Sequence, residues 1–361
     1  MDYQHLTHYY KGKRVFLTGH TGFKGSWLLN WLYLLGADIK GYSLAPLNDF
    51  DLFNAIEGDN MCVSVIGNIL DREHFLSEIL SFEPDYIFHL AAQPLVRLSY
   101  EVPSETFSVN AIGTAHLMDA VRLLKQPCNV ILITTDKVYE NKEWHYPYRE
   151  IDRLGGYDPY SASKACAEII ISSYRNSFFN SANYSIHRKA IASARAGNVI
   201  GGGDWAQDRI IPDIVRALLK NDKIVVRNPY SIRPWQHVLE PLGGYLHLGT
   251  KMTENPILYS DSWNFGPLAE DNLTVESLVK ISLSIWGNGN YETPVKKEEL
   301  HEAGLLKLDI NKAMNILKWK PKYNARGAIE KTLEWYKIFE NGESISSFTQ
   351  YQISEFINAK S

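Results

Sequence analysis

"VFLTGHTGFKGSWL", Val15 to Leu28, sets Gly19, Gly22 and Gly25 where an apolar, strand-like run gives way to a helix-like one. At such a junction G-x-x-G-x-x-G lets backbone approach a pyrophosphate at a helix N-terminus, so the stretch reads as a dinucleotide cradle rather than an ordinary turn. Dinucleotide folds place an acidic residue about 20 positions on to hold the ribose hydroxyls. Here the next apolar run ends in Gly41, Tyr42 and Ser43, and a serine hydroxyl carries no charge. His20 and Lys24 in the first turn could instead tolerate a phosphate, so the residues alone leave NAD and NADP both open.

Outward from the cradle, "RVFLT", "DIKGYSL", "CVSVIGN", "DYIFHLAA", "NVILITT" and "YSIHRKAIASAR" read as six strands. Between them lie helical runs: Lys24 to Leu35, "NAIGTAHLMDAVRLL" and "YSASKACAEIIISSYRNSF". This alternation predicts an α/β fold, a doubly wound parallel sheet with a smaller C-terminal substrate lobe. The lobe is expected from Ala196 onward, where "GNVIGGGDW" and "RNPYSIRPW" break the rhythm. Residues 1–195 and 235–265 are assigned to the dinucleotide domain, 196–234 and 266–350 to the lobe, and 351–361 to a polar tail.

Composition narrows the partners. With 361 residues, 45% of them hydrophobic, the chain can bury a full core. Lys plus Arg number 37 against 41 acidic residues, and this balance offers no basic field for nucleic acid or an anionic membrane. No run approaches the roughly 20 apolar residues of a membrane span. The polar N-terminus and the scattered Cys62, Cys128 and Cys166 predict a reducing, cytoplasmic setting, and no histidine cluster suggests a metal.

Tyr160 and Lys164 stand four apart in a helical run, on one face, where an ammonium would lower the phenol's pKa and make it a usable base. "TTDKVY" closes the fifth strand with Thr135, Asp136 and Lys137, a hydroxyl, a carboxylate and an amine at the edge where doubly wound folds bind ligands. Asn110, at a helix start, reads as a cap, a core amide or part of the same polar relay. The helices beginning near Asn110 and Tyr160 carry apolar residues on more faces than one sheet covers, which predicts a homodimer.

Taken together, "TGHTGFKGSWL", "FHLAAQPLVRLSY", "TTDKVYEN", "YSASK", "SARAGNVIGGGDW" and "IRPWQHVLEPL" resemble the extended short-chain dehydrogenase/reductase family, from about Lys13 to Tyr336. Within it the resemblance is to the dehydratases of CDP-glucose that serve deoxysugar and O-antigen biosynthesis, and it implies NAD as cofactor. It implies that Gly19, Gly22 and Gly25 hold the pyrophosphate and that Phe23, Ile69, Ala91 and Ala92 lie along the cofactor. Asn68 stands where the family has an acid for the adenine amine, and its side-chain carbonyl can still accept. Tyr160 and Lys164 match the catalytic pair, Thr135 the hydroxyl that steers the sugar O4, and Asp136 the acid. Lys137 replaces the glutamate base of thymidine-linked dehydratases. Gln93, Asn198, Gln236 and His237 fall on the substrate side, and Arg209 and Arg233 are the best cations for the diphosphate.

The implied reaction oxidises C4, whose ketone acidifies the C5 proton; water leaves from C6, and C6 is then reduced, with no net oxidation. A nucleotide-sugar 4-epimerase would share the fold, the NAD and the Tyr160/Lys164 pair but would need no acid at C6. A noncatalytic dinucleotide-binding protein would need neither set. Asp136 and Lys137 favour dehydration, while the nucleotide base is not distinguished by the residues themselves.

Overall fold

The computed structural model describes residues 3–294 and 305–359, so parts of the expected lobe (295–304) and tail (360–361) lie outside the described residues. Seven strands form the main sheet: β1 (Arg14–Thr18), β2 (Asp38–Ser43), β3 (Val63–Ile66), β4 (Tyr86–His89), β5 (Cys128–Thr134), β6 (Lys189–Ala196) and β7 (Ser262–Phe265). Their order is β7-β6-β5-β4-β1-β2-β3 and every neighbouring pair is parallel. The chain therefore reverses its winding between β1 and β4, opening a crevice at their carboxyl ends.

Both faces of the sheet are covered, as strands with near-continuous apolar runs require. One face packs on the helices Phe23–Leu34 and Leu239–Glu254, with Trp27, Trp31, Leu246 and Trp263 fully buried. The other packs on Arg72–Phe82, Gly113–Leu123 and Pro159–Ser177 through Phe16, Phe75, Leu117 and Ile171. The six runs read as strands all contribute to this sheet, and the first four residues of the sixth, Tyr184–His187, form a helical turn on its approach. The seventh, β7, was not anticipated: its "SWNF" is buried throughout, and Asn264 inside it donates to the Tyr148 and Asp309 carbonyls.

Above the strand ends lie the helices Ile210–Leu219, Val275–Trp286 and Ala325–Glu340 and two-stranded ribbons pairing 224–225 with 291–292 and 232–234 with 272–274. Trp27 Nε1 donates to the Gly202 carbonyl at 2.9 Å and Tyr336 Oη to that of Asp204, tying this layer to the sheet. The expected polar tail is instead a helix, Ile345–Asn358, that buries Ile353, Phe356 and Ile357. Phe356 lies edge-on to Trp31 of the dinucleotide helix, and Lys322 Nζ donates to the carbonyls of Phe356, Ile357 and Ala359, closing the helix C-terminus. Among the described residues no helix is long and apolar enough to cross a membrane.

Candidate active site

A cleft of about 1650 Å³ follows the carboxyl ends of β1, β4, β5 and β6 and runs on beneath the upper layer. At its floor the cradle is set by glycine geometry. Gly19 has φ +73°, and a Cβ on it would meet the Ala91 backbone at 2.8 Å; a Cβ on Gly25 would meet the Gly19 carbonyl oxygen at 1.9 Å. Gly22 is the N-cap of the helix Phe23–Leu34 and supplies no side-chain cap, so the first N–H groups point into the cleft without one. Thr18 Oγ1 accepts the Leu90 and Ala91 amides at 3.1 Å and so gives its proton to His89 Nδ1 at 2.8 Å. Burial, with Lys164 adding to it, pushes His89 down to about 3, which keeps the ring neutral.

Gly19, Gly22, Phe23, Lys24, Gly25, Ser43, Asn68, Ile69, Ala91 and Ala92 all line the cleft. Ser43 Oγ lies 2.8 Å from Thr21 Oγ1, and Asn68 Oδ1 accepts the Leu70 amide at 2.9 Å. His20 does not line it. Its ring is fully buried under Gly41, with Nε2 2.9 Å from Ser64 Oγ, and burial pushes it down to about 4. A neutral, buried imidazole cannot face a phosphate, so that expectation is corrected. Lys24 is held near 8 by burial and by Arg209, against Asp136.

The reactive groups come from the end of β5 and the helix Pro159–Ser177. Asp158 caps that helix by accepting the Ser161 amide at 2.9 Å, and Pro159 fits the first turn, where no N–H is needed. Tyr160 is thereby fixed one turn before Lys164, and its own amide donates to Ser99 Oγ at 3.1 Å. Thr135, Asp136, Lys137, Tyr160 and Lys164 line one stretch of the cleft. Thr135 Oγ1 donates to Asp136 Oδ1 at 2.9 Å, and Asn198 Nδ2, on a backbone with φ +47°, lies 3.4 Å from Asp136 Oδ2. Asp136 is 1% exposed; Lys137 is half-buried.

Burial pushes the Tyr160 phenol up to about 12, helped by Asp136 and Asp158. The principal groups lowering it are Thr135, by a side-chain hydrogen bond, and the Arg209 guanidinium. Lys164 is not among these principal groups. Its ammonium reaches back to the Ile133 carbonyl at 3.2 Å, and burial holds it near 8 against the pull of Glu168.

Glu168 was missed by sequence reading, as was its partner. It lies one turn beyond Lys164, 2% exposed, and accepts from Thr134 Oγ1 (2.6 Å), Ser193 Oγ (2.9 Å) and Arg195 Nη2 (2.8 Å). Arg195 Nη1 also donates to Tyr139 Oη at 2.8 Å. The network clamps the ends of β5 and β6 behind the reactive groups. Burial raises the Glu168 carboxyl, but Arg195 and the hydroxyls outweigh it and hold it low. Its stabilising effect is therefore present above the ordinary carboxylate range and is lost as pH falls through the lowered value. Glu168→Gln, which strands the Arg195 charge, is expected to cost about 3–5 kcal/mol, seen as a lower urea midpoint at unchanged slope.

Arg209, Arg233 and Asn198 line the cleft, with Arg209 Nη1 paired to Asp204 at 2.9 Å. Gln93, Asn110, Gln236 and His237 do not. Gln93 spends its amide on Leu95 and Thr106. Asn110, in a π-helical turn, accepts the Gln93 amide and donates to the Gln93 carbonyl and to Ser163 Oγ, which donates to the Tyr160 carbonyl. Gln236 Nε2 donates to the Gly197 and Phe265 carbonyls. His237 is fully buried against Trp27 and Tyr323, pushed down to about 3 by burial and Lys331. These four support the site from behind.

A family model for GDP-mannose 4,6 dehydratase matches residues 16–332. The chain belongs to that family. Over 351 residues it is 47% identical to a CDP-glucose 4,6-dehydratase of Salmonella typhimurium, covering 97% of this chain and 98% of the relative. A dTDP-glucose 4,6-dehydratase of Streptomyces antibioticus is 26% identical over 332 residues, 90% of this chain and 92% of that one. Among solved structures, a Bacillus anthracis dTDP-glucose 4,6-dehydratase in complex with NAD superposes with TM-score 0.74 at 20% identity, covering 93% of this chain and 100% of that chain. In this family member the cradle, the Tyr160 helix and the end of β5 meet in one cleft.

Proposed function

We propose that the chain is an NAD-dependent lyase that converts CDP-glucose to its 4-keto-6-deoxy form. The observation that carries the proposal is the placing of Asp136 and Lys137, the extra acid and amine, beside Thr135, Tyr160 and Lys164 in a single cleft. The full-length similarity to a CDP-glucose dehydratase supports the choice of nucleotide. The residues fit NAD: the cradle leaves backbone where a Cβ would intrude, and an uncapped helix start faces the pyrophosphate position. Ser43 is neutral and His20 is withdrawn, so neither offers a cation to a 2′-phosphate.

The chemistry that the cofactor supplies when bound is transient oxidation at C4 and the matching reduction at C6. Tyr160 takes the O4 proton, with Thr135 and Arg209 stabilising the phenolate and Thr135 orienting O4. The resulting ketone acidifies C5–H. Lys137 assists loss of that proton, and Asp136 is the acid that delivers a proton to the departing C6 hydroxyl. The upper layer excludes water that would trap the unsaturated ketone.

The homodimer reading is supported by Leu98, Phe107, Ile112 and Ile169, large apolar side chains left exposed on neighbouring helices of one face. Light scattering is expected to give twice the chain mass; a monomer at working concentration contradicts it. The three free cysteines support a reducing, cytoplasmic setting. The assignment is tested by assaying CDP-, dTDP-, UDP- and GDP-glucose for a 4-keto-6-deoxy product. CDP-glucose is expected to turn over best, and a product that keeps its 6-hydroxyl with C4 inverted would instead mark an epimerase.

A further inference from the structure

At the outer part of the cleft a single carboxylate oxygen joins two cations from distant parts of the chain. Asp208 Oδ1 accepts from Arg227 Nη1 at 2.8 Å and lies 3.6 Å from Arg97 Nη1. Arg97 belongs to the short helix Val96–Glu101 that follows β4. Asp208 and Arg227 come from segments flanking the helix Ile210–Leu219, and Arg227 Nη2 lies 3.8 Å from Asp213, which is itself paired with Arg216. All of these except Arg216 line the cleft.

As a stability device this bridge is poor. The three side chains are a third or more exposed, where an ion pair contributes little net stability. Asp208 also holds a left-handed backbone, φ +61°, a conformation with an energetic cost for a residue other than glycine. One carboxylate oxygen is the acceptor shared by the two guanidinium groups here. A diphosphate carries more charge and enough oxygens to give each guanidinium two parallel hydrogen bonds.

We propose that Arg97 and Arg227 grip the substrate's diphosphate from both sides of the cleft, and that Asp208 is an exchangeable counter-ion that holds the two cations in place until the nucleotide displaces it. Arg209, tied to Asp204 and close enough to act on Tyr160, then serves the sugar end, with Arg97 and Arg227 further out. This inference rests on the nucleotide-sugar reading above, but on the diphosphate rather than on the base or the reaction.

The test is calorimetric titration of the full chain with CDP, UDP and NAD separately, for wild type, Asp208→Asn, Asp208→Gly, Arg97→Met and Arg227→Met. Asparagine and glycine both accept the left-handed backbone, so those variants keep the fold, and retained NAD binding checks that they do. Asp208→Asn and Asp208→Gly are expected to tighten CDP by about threefold or more, since an internal competitor is removed, and each arginine variant to weaken it by about tenfold. UDP should show the same ratios between variants, and NAD should not change.

Weaker CDP binding by Asp208→Asn would make Asp208 a fixed part of the site and overturn the proposal, as would arginine variants that bind like wild type. Parallel changes in NAD would assign the pair to the cofactor's diphosphate and overturn it too. A wild type that prefers UDP corrects the substrate reading while the ratios still decide this one; a wild type that binds neither nucleotide overturns both.

Discussion

Tyr160→Phe is expected to lower C4 oxidation by about 10²–10⁴-fold, the range of a lost general base. The phenol is buried beside Thr135, and burial pushes its hydroxyl up to about 12, so at neutral pH it begins protonated. Its proton must first pass to solvent, leaving the phenolate that then takes the proton from O4, and Thr135 and Arg209 favour that phenolate. The wild-type rate of cofactor reduction should therefore rise with pH through the neutral range, while the residual rate of the variant stays flat. Stopped-flow absorbance of the reduced nicotinamide after mixing with CDP-glucose reads both. A Phe variant that reduces its cofactor at the wild-type rate would remove Tyr160 from the base role. Because the substitution removes one oxygen and no packing volume, the fold should be unaffected.

Lys137→Ala is expected to separate the steps. C4 oxidation should survive, because the Tyr160 hydroxyl, Thr135 and Arg209 are untouched, but elimination should fall by about 10²-fold or more, the scale of a lost acid–base or oxyanion group. A neutral amine at this position takes the C5 proton itself, and an ammonium stabilises the enolate that forms when it leaves. Both place Lys137 at the same step. Reduced cofactor should accumulate with the 4-keto sugar, and exchange of the C5 hydrogen with deuterated solvent should drop in parallel. Formation of the 4-keto-6-deoxy product at the wild-type rate would take Lys137 out of elimination and leave Asp136 as the specific mark of a dehydratase.

The cradle, six of the strands and the Tyr160/Lys164 pair were legible because each is local: a glycine spacing at a strand end, apolar runs of strand length, and two residues one helical turn apart. What the sequence hid was made by distance in the chain. Glu168 and Arg195 sit on different elements and meet only when the Pro159–Ser177 helix packs beside β6. β7 escaped because "SWNF" is short and half polar, and its asparagine side chain is satisfied by Tyr139, Tyr148 and Asp309 from other segments. The C-terminal helix could have been found from Ile345, Thr349, Gln352, Ile353 and Phe356, a buried stripe at helical spacing diluted by serine and glutamine. Gln93 and His237 lie in motifs that border the cleft, and only the turn of the backbone decides that their side chains face inward.

The most direct measurement of the central claim follows a deuterium placed at C4 of CDP-glucose. If Tyr160 and Asp136 serve one internal redox cycle in a closed cleft, the label should appear at C6 of the 4-keto-6-deoxy product, carried within the same site, with solvent hydrogen at C5. A label that returns to C4 of a sugar still bearing its 6-hydroxyl, or that stays on the cofactor with no deoxysugar formed, would contradict it.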